Sequence, residues 1–204
     1  MLIPPVSDLD HVQGFATADI TLVEYGDYHN QQCAAALPWI EALQARLGNR
    51  LRLIFRHFPA FRFHPHAAEA AEAAGLQGRF WEMHAVLFAH PSALGSGHLV
   101  EYARDLGLDT VRFLRDMAGQ APSERVLSDL ASGAESGVSS TPAFFINGVC
   151  VNGVCGLSAW KVGLASLAAA SGQNIAEIDR WADDGAPPAL DGGDEGIGEG
   201  NHAP

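Results

Sequence analysis

The 204-residue chain carries 24 acidic against 12 basic side chains, a formal net charge of −12, with 48% hydrophobic and 18% charged residues. That length suits one domain, or one domain with an insertion, and the apolar fraction supplies a core, which excludes a disordered, collagen-like or coiled-coil chain. The basic residues are scattered arginines and the single Lys161, with no basic patch to offset the overall charge, so no nucleic-acid partner is expected.

The start, from Met1 to Pro5, has neither a basic n-region nor the apolar run of a signal peptide. No segment approaches the ~20 consecutive apolar residues of a membrane span. The expectation is a cytosolic protein without a membrane partner, in a compartment that keeps thiols reduced.

After a short Asp/His-containing segment, Ile20 to Tyr25 is β-branched and aromatic enough for a buried strand. A helix is predicted from about Asn30 to Gly48, with Pro38 as a kink. Leu51 to Arg56 reads as a second strand, and strand–helix–strand implies a parallel βαβ unit. A long helical stretch follows. Pro65 fits a first turn leading into the alanine-rich run from Ala67. Phe80, Met83, His84, Leu87 and Phe88 fall on one helical face. Further helices are predicted over 97–106, 109–118 and 122–133.

The period then changes. Ala143 to Ile146 and Val149 to Val151, joined by Asn147-Gly148, read as a hairpin. Leu157, Trp160, Leu164 and Leu167 mark a last amphipathic helix. The domain is expected to span 1–181 with a helical insertion at about 63–136. Residues 182–204 hold six acids, no lysine or arginine and almost no large apolar residue, which predicts a disordered acidic tail. Half of the net charge belongs to it.

Three patterns carry the chemistry: Glu24 to Tyr28 followed by a helix start bearing Cys33, Arg56-His57-Phe58-Pro59 leaving the second strand, and Ser139 to Gly148 with Thr141-Pro142 at its centre. Together with Phe80 to His84, these resemble the DsbA-like branch of the thioredoxin superfamily over roughly residues 6–170. The resemblance implies an α/β thioredoxin-like fold with a helical insertion, and a cis-proline loop at Thr141-Pro142. In that loop the residue before the proline pairs with an extended substrate peptide. It also implies a Cys-x-x-Cys motif at positions 30 to 33.

The chain has Asn30-Gln31-Gln32-Cys33 there instead. Asparagine cannot attack sulfur, but it is a preferred N-cap, so the helix survives while the reaction is deleted. Cys33 then has two readings: an inert, packed thiol, or a monothiol that exchanges with a small thiol or a protein partner. Glu24 matches by resemblance the buried acid that manages protons beneath the active-site cysteines, with Arg56 on the neighbouring strand as its candidate partner. A structural ion pair is the alternative.

Tyr28 and His29, in the loop before the helix, are expected to line the substrate side with Thr141 and Pro142. His29 with Cys33, and His64 with His66, have too few ligands for zinc, so no metal site is read. His84 is expected to be a satisfied core histidine. Cys150 and Cys155 would face each other across an Asn152-Gly153 turn as a disulfide or redox couple; the other reading is two reduced thiols. A Cys33–Cys155 pair is a further alternative.

Three functions follow. One is a DsbA-like oxidoreductase homologue with at most monothiol exchange through Cys33. Another is a redox-inactive module that binds extended peptide or protein segments at the cis-proline groove. The last is a small-thiol-dependent isomerase or transferase, with a low-molecular-weight thiol as its cofactor.

Overall fold

The computed structural model describes residues 1–60 and 66–151. A five-stranded sheet runs in the order β1-β3-β2-β4-β5, from β1 (His11–Gln13), β2 (Ile20–Gly26), β3 (Leu51–His57), β4 (Ala143–Ile146) and β5 (Val149–Cys150). β2 and β3 are parallel, joined by α1 (Gln31–Leu47), which makes the expected βαβ unit. β4 returns antiparallel on β2, and β5 on β4 through the Asn147-Gly148 turn. Both turn residues have positive φ, 47° and 81°, the conformation that an Asn-Gly hairpin turn supplies.

Five helices connect β3 to β4: α2 (His66–Gly75), α3 (Phe80–Ala89), α4 (Ser96–Asp105), α5 (Thr110–Met117) and α6 (Gln120–Glu135). Their positions follow the sequence prediction closely. β1 does not: its three residues carry no alternating pattern, and it forms because antiparallel pairing with β3 covers that strand's outer edge. α1 continues through Pro38 as one helix. The last predicted helix, Cys155 and the acidic tail lie outside the described residues.

Strand alternation distributes the core. Ile20 and Leu22 face α1 and pack with Ile40, Leu43, Leu47 and Phe144. Val23 and Tyr25 face the other side with Ile54, Phe145 and Leu2 of the N-terminal strap. Each such side chain contributes roughly 1.5–3 kcal/mol on burial. The strap is held by Leu2 N–H donating to the Gly148 carbonyl at 2.9 Å and Ile3 N–H donating to Ser136 Oγ at 2.8 Å.

α6 approaches the sheet at Gly133, where an added Cβ would stand 2.5 Å from Phe58 Cδ2 and 3.2 Å from Tyr25 Cδ1. Gly133→Ala is therefore expected to destabilise the domain by about 1–3 kcal/mol, because a well-packed contact has to open. Urea unfolding of both proteins measures this; equal midpoints would contradict it.

Candidate functional site

The site lies where the loop after β2, the start of α1 and the loop before β4 meet. Asn30 caps α1 as predicted: its Oδ1 accepts from Gln32 N–H at 2.8 Å, satisfying a first-turn donor. The other end of its amide reaches across the site. Nδ2 donates to the Thr141 carbonyl at 2.8 Å and to Thr141 Oγ1 at 3.1 Å. The Thr141–Pro142 peptide bond is cis. The residue at the expected nucleophile position is thus the link between the helix start and the cis-proline loop.

Cys33 sits one turn below and is fully buried. Asp27 N–H donates to its Sγ at 3.5 Å. Burial, reinforced by the Glu24 carboxyl, pushes its thiol up to about 12, which outweighs the bonds from Asp27 and Thr141 that favour the thiolate. At neutral pH Cys33 is therefore a buried, protonated thiol. Cys33 is free, so the Cys33–Cys155 pairing is not formed. Cys150 is disulfide-bonded.

Glu24 is fully buried and neither carboxyl oxygen has a hydrogen-bond partner. Desolvation lifts its carboxyl to about 8, so it is protonated through neutral pH. Arg56 is not its partner. In the parallel register Glu24 stands beside Phe55 and Tyr25 beside Arg56, so Arg56 lies on the opposite face of the sheet. There it donates to Asp10 through Nε at 2.8 Å and Nη2 at 3.0 Å, and to Tyr25 Oη at 2.9 Å. The ion pair expected of Arg56 exists, with a different acid.

Asp27, which the sequence reading passed over, knits the loops together. Its Oδ1 accepts from His29 N–H at 2.9 Å and its Oδ2 from Ala60 N–H at 3.0 Å, fixing the loop after β2 to the loop after β3. The signal available in sequence was an acid two residues before a histidine in a turn, the pattern of an Asx-type bond.

His29 is exposed beside the helix start, with Nδ1 3.5 Å from Asp27 Oδ1. Tyr28 points inward. It is buried among Phe55 and Phe88, and its hydroxyl meets His84 Nδ1 at 3.1 Å, so its side chain packs in the core instead of standing exposed as His29 does. His84 is the core histidine expected; burial, with His57 and His11 nearby, holds it down at about 3, neutral. Asn30, Cys33, Thr141 and Pro142 come together with Glu24 beneath them; Tyr28 and Cys150 belong to the core and to the hairpin.

A parallel βαβ unit, a returning antiparallel hairpin after a cis-proline and a helical layer inserted between them define a thioredoxin-like protein. A family model described as Thioredoxin matches residues 7–162, and the chain belongs to that family. Among solved structures it is similar to a thioredoxin-like oxidoreductase from Silicibacter pomeroyi DSS-3. The two are 26% identical with a TM-score of 0.68, over 79% of this chain and 93% of that one. Wolbachia pipientis alpha-DsbA1 shares the fold at 20% identity and TM-score 0.66, over 84% and 96%. The fold is thus one that supports a role of the thiol–disulfide oxidoreductase type.

The relative from Herminiimonas arsenicoxydans named Na(+)/H(+) antiporter NhaA is 44% identical over 149 residues, 72% of this chain and 24% of that protein. The chain spans about a quarter of the length of the curated relatives it matches. Among the described residues no helix is long and apolar enough to cross a membrane.

Proposed function

We propose that this chain is a DsbA-like oxidoreductase homologue whose thiol chemistry at the helix start is lost and whose retained activity is binding an extended protein segment at the Thr141-Pro142 loop. One observation carries the reading. Position 30 holds an amide already engaged with Thr141, and the thiol at position 33 is buried and protonated. Monothiol exchange needs a reachable thiolate, and Cys33 offers neither property. A small-thiol isomerase or transferase would need the Asn30 amide to face a ligand sulfur, but its donor end is committed to Thr141. The Thr141 carbonyl keeps a second lone pair, so a strand-like segment can share it with Asn30.

The test pairs activity with binding. Insulin reduction and oxidation of reduced RNase are expected near background in both wild type and Cys33→Ala, while carboxymethylated RNase, which has no thiols to exchange, is still bound. Activity that falls in Cys33→Ala would restore the monothiol reading, and no binding of the carboxymethylated chain would remove the module reading.

The Cys150 disulfide favours a second reading, in which a redox couple at the hairpin persists with Cys155 as the other member. It is distinguished by activity that survives Cys33→Ala and disappears in Cys150→Ser. Such a bond persists in an oxidising compartment, which sets this reading against the cytosolic placement expected from the sequence. The names of the curated relatives suggest a partner class: a Na(+)/H(+) antiporter, bound by this chain where those relatives carry a similar segment in one polypeptide. Co-purification of the chain with such an antiporter in detergent checks it, against the expectation of no membrane partner.

A further inference from the structure

The Asn30 amide answers one half of the backbone pairing that Thr141 can offer, and leaves the other half open. It is held at both ends. Oδ1 accepts from Gln32 N–H at 2.8 Å, so flipping the amide would set two donors against each other. The NH₂ group therefore faces Thr141, 2.8 Å from the carbonyl oxygen and 3.1 Å from Oγ1. Thr141 N–H stands differently: among the described residues it has no hydrogen-bond partner.

An extended segment pairing with Thr141 would ordinarily exchange two bonds with it. The segment gives an N–H to the Thr141 carbonyl and takes Thr141 N–H on its own carbonyl. Here the two halves are unequal. The carbonyl already has a donor, so an incoming N–H finds only the remaining lone pair, beside an Asn30 hydrogen of the same partial charge. An N–H brought there gives up its water and gains a crowded bond in exchange. Proline alone brings no N–H, and its φ, fixed at about −65°, suits an extended chain. It can take Thr141 N–H on its carbonyl and leave the Thr141 carbonyl to Asn30.

We propose that the Thr141-Pro142 loop selects extended segments that place a proline opposite Thr141, and that Asn30 is the residue that sets this preference. The inference rests on the proposed binding of an extended segment at this loop and adds the class of segment. Gln31, Gln32, Ser139 and Ser140, which adjoin Asn30 and Thr141 in the chain, are exposed and uncharged. A neutral peptide is therefore the suitable probe.

The experiment compares two fluorescein-labelled peptides of alanine, serine and threonine, identical except for one central proline in place of alanine. Each is titrated into the full-length wild type and into Asn30→Asp, which keeps a cap oxygen for Gln32 and lacks the donor to Thr141. Wild type should bind the proline peptide about 3–10-fold more tightly, the worth of one neutral hydrogen bond. In Asn30→Asp the order should reverse, because the Thr141 carbonyl then has room for the alanine N–H. Asn30→Ala, with no charge at that position, should move the ratio the same way. Proline also stiffens the free peptide, equally for every protein, so the change in ratio between proteins is the readout. The Thr141 amide resonance reports where the peptide sits. Tighter binding of the alanine peptide by wild type, or one ratio shared by all three proteins, overturns the proline preference; a Thr141 resonance that still shifts leaves the binding reading standing. If neither peptide moves that resonance in wild type, the binding reading falls and the preference with it.

Discussion

Asn30→Cys is expected to turn a chain at background into a working dithiol oxidase. The substitution places a thiol at the N-cap of α1, where first-turn N–H groups and the helix dipole stabilise a thiolate. Thiols so placed have pKa values of about 3.5–7.5 against 8.5 when free, so about a quarter or more would be ionised at pH 7, compared with a few per cent otherwise. Cys33 lies one turn below, in the position that resolves a mixed disulfide. Its own thiol, at about 12, needs help to lose its proton, and the Glu24 carboxyl on the same side of the sheet can receive it only once ionised, so resolution should quicken as pH rises toward about 8.

In the cycle the variant's disulfide takes two electrons from a substrate dithiol, which becomes the disulfide, and glutathione disulfide reoxidises the protein. Oxidation of reduced RNase measures the gain. Asn30→Cys combined with Cys33→Ala should trap the mixed disulfide, because nothing remains to resolve it. If the single variant stays at background while folded, the defect lies in the cis-proline loop as well as at position 30. The substitution also removes the cap, worth about 1 kcal/mol, so stability must be followed alongside activity.

Glu24 is expected to make a contribution to stability that falls between pH 4.5 and 8, opposed below about pH 6.5 by the rising contribution of His84, whose ring takes a proton in the unfolded chain while it stays neutral in the native core. Its carboxyl titrates at 4.5 in the ordinary case and at about 8 in the native protein. Above 4.5 the unfolded chain releases this proton while the native state keeps it, so the unfolded state gains. The stability held below pH 4.5 is therefore lost as pH rises, and the loss levels off above the native value of about 8. Between pH 4.5 and 7 the part due to Glu24 amounts to about 3 kcal/mol. Glu24→Gln removes that falling part and should leave a profile that rises with pH over this range relative to wild type, whatever its effect on stability at pH 4.5. Urea midpoints across pH 4.5 to 8 read the slope; parallel profiles for the two proteins would show that Glu24 is not the titrating group.

The sequence disclosed what depends on local period and chain order. Ile20 to Tyr25, Leu51 to Arg56 and the Asn147-Gly148 hairpin declare themselves by β-branched runs and turn chemistry, and Asn30 declares the helix start by its capping preference. What depends on pairing stayed hidden. Whether Glu24 or Tyr25 shares a face with Arg56 is decided by the β2–β3 register, and a shift of one residue exchanges the two. Tyr28 looked like a loop residue because nothing nearby reveals that Phe55, His84 and Phe88, from β3 and α3, enclose it.

The bridge from the Asn30 amide to Thr141 joins residues 111 positions apart. The whole helical layer lies within that span, so two hydrogen bonds close a very long circuit of chain. Closure at that separation is set by the fold, and little of the packing energy resides in the bridge itself. The cis-proline loop should therefore open as a small local unit while the helices stay formed. In Asn30→Ala, amide hydrogen exchange is expected to quicken around Thr141 and to stay slow in α2, α3 and α6. The asparagine at the helix start would then set how often that loop is open.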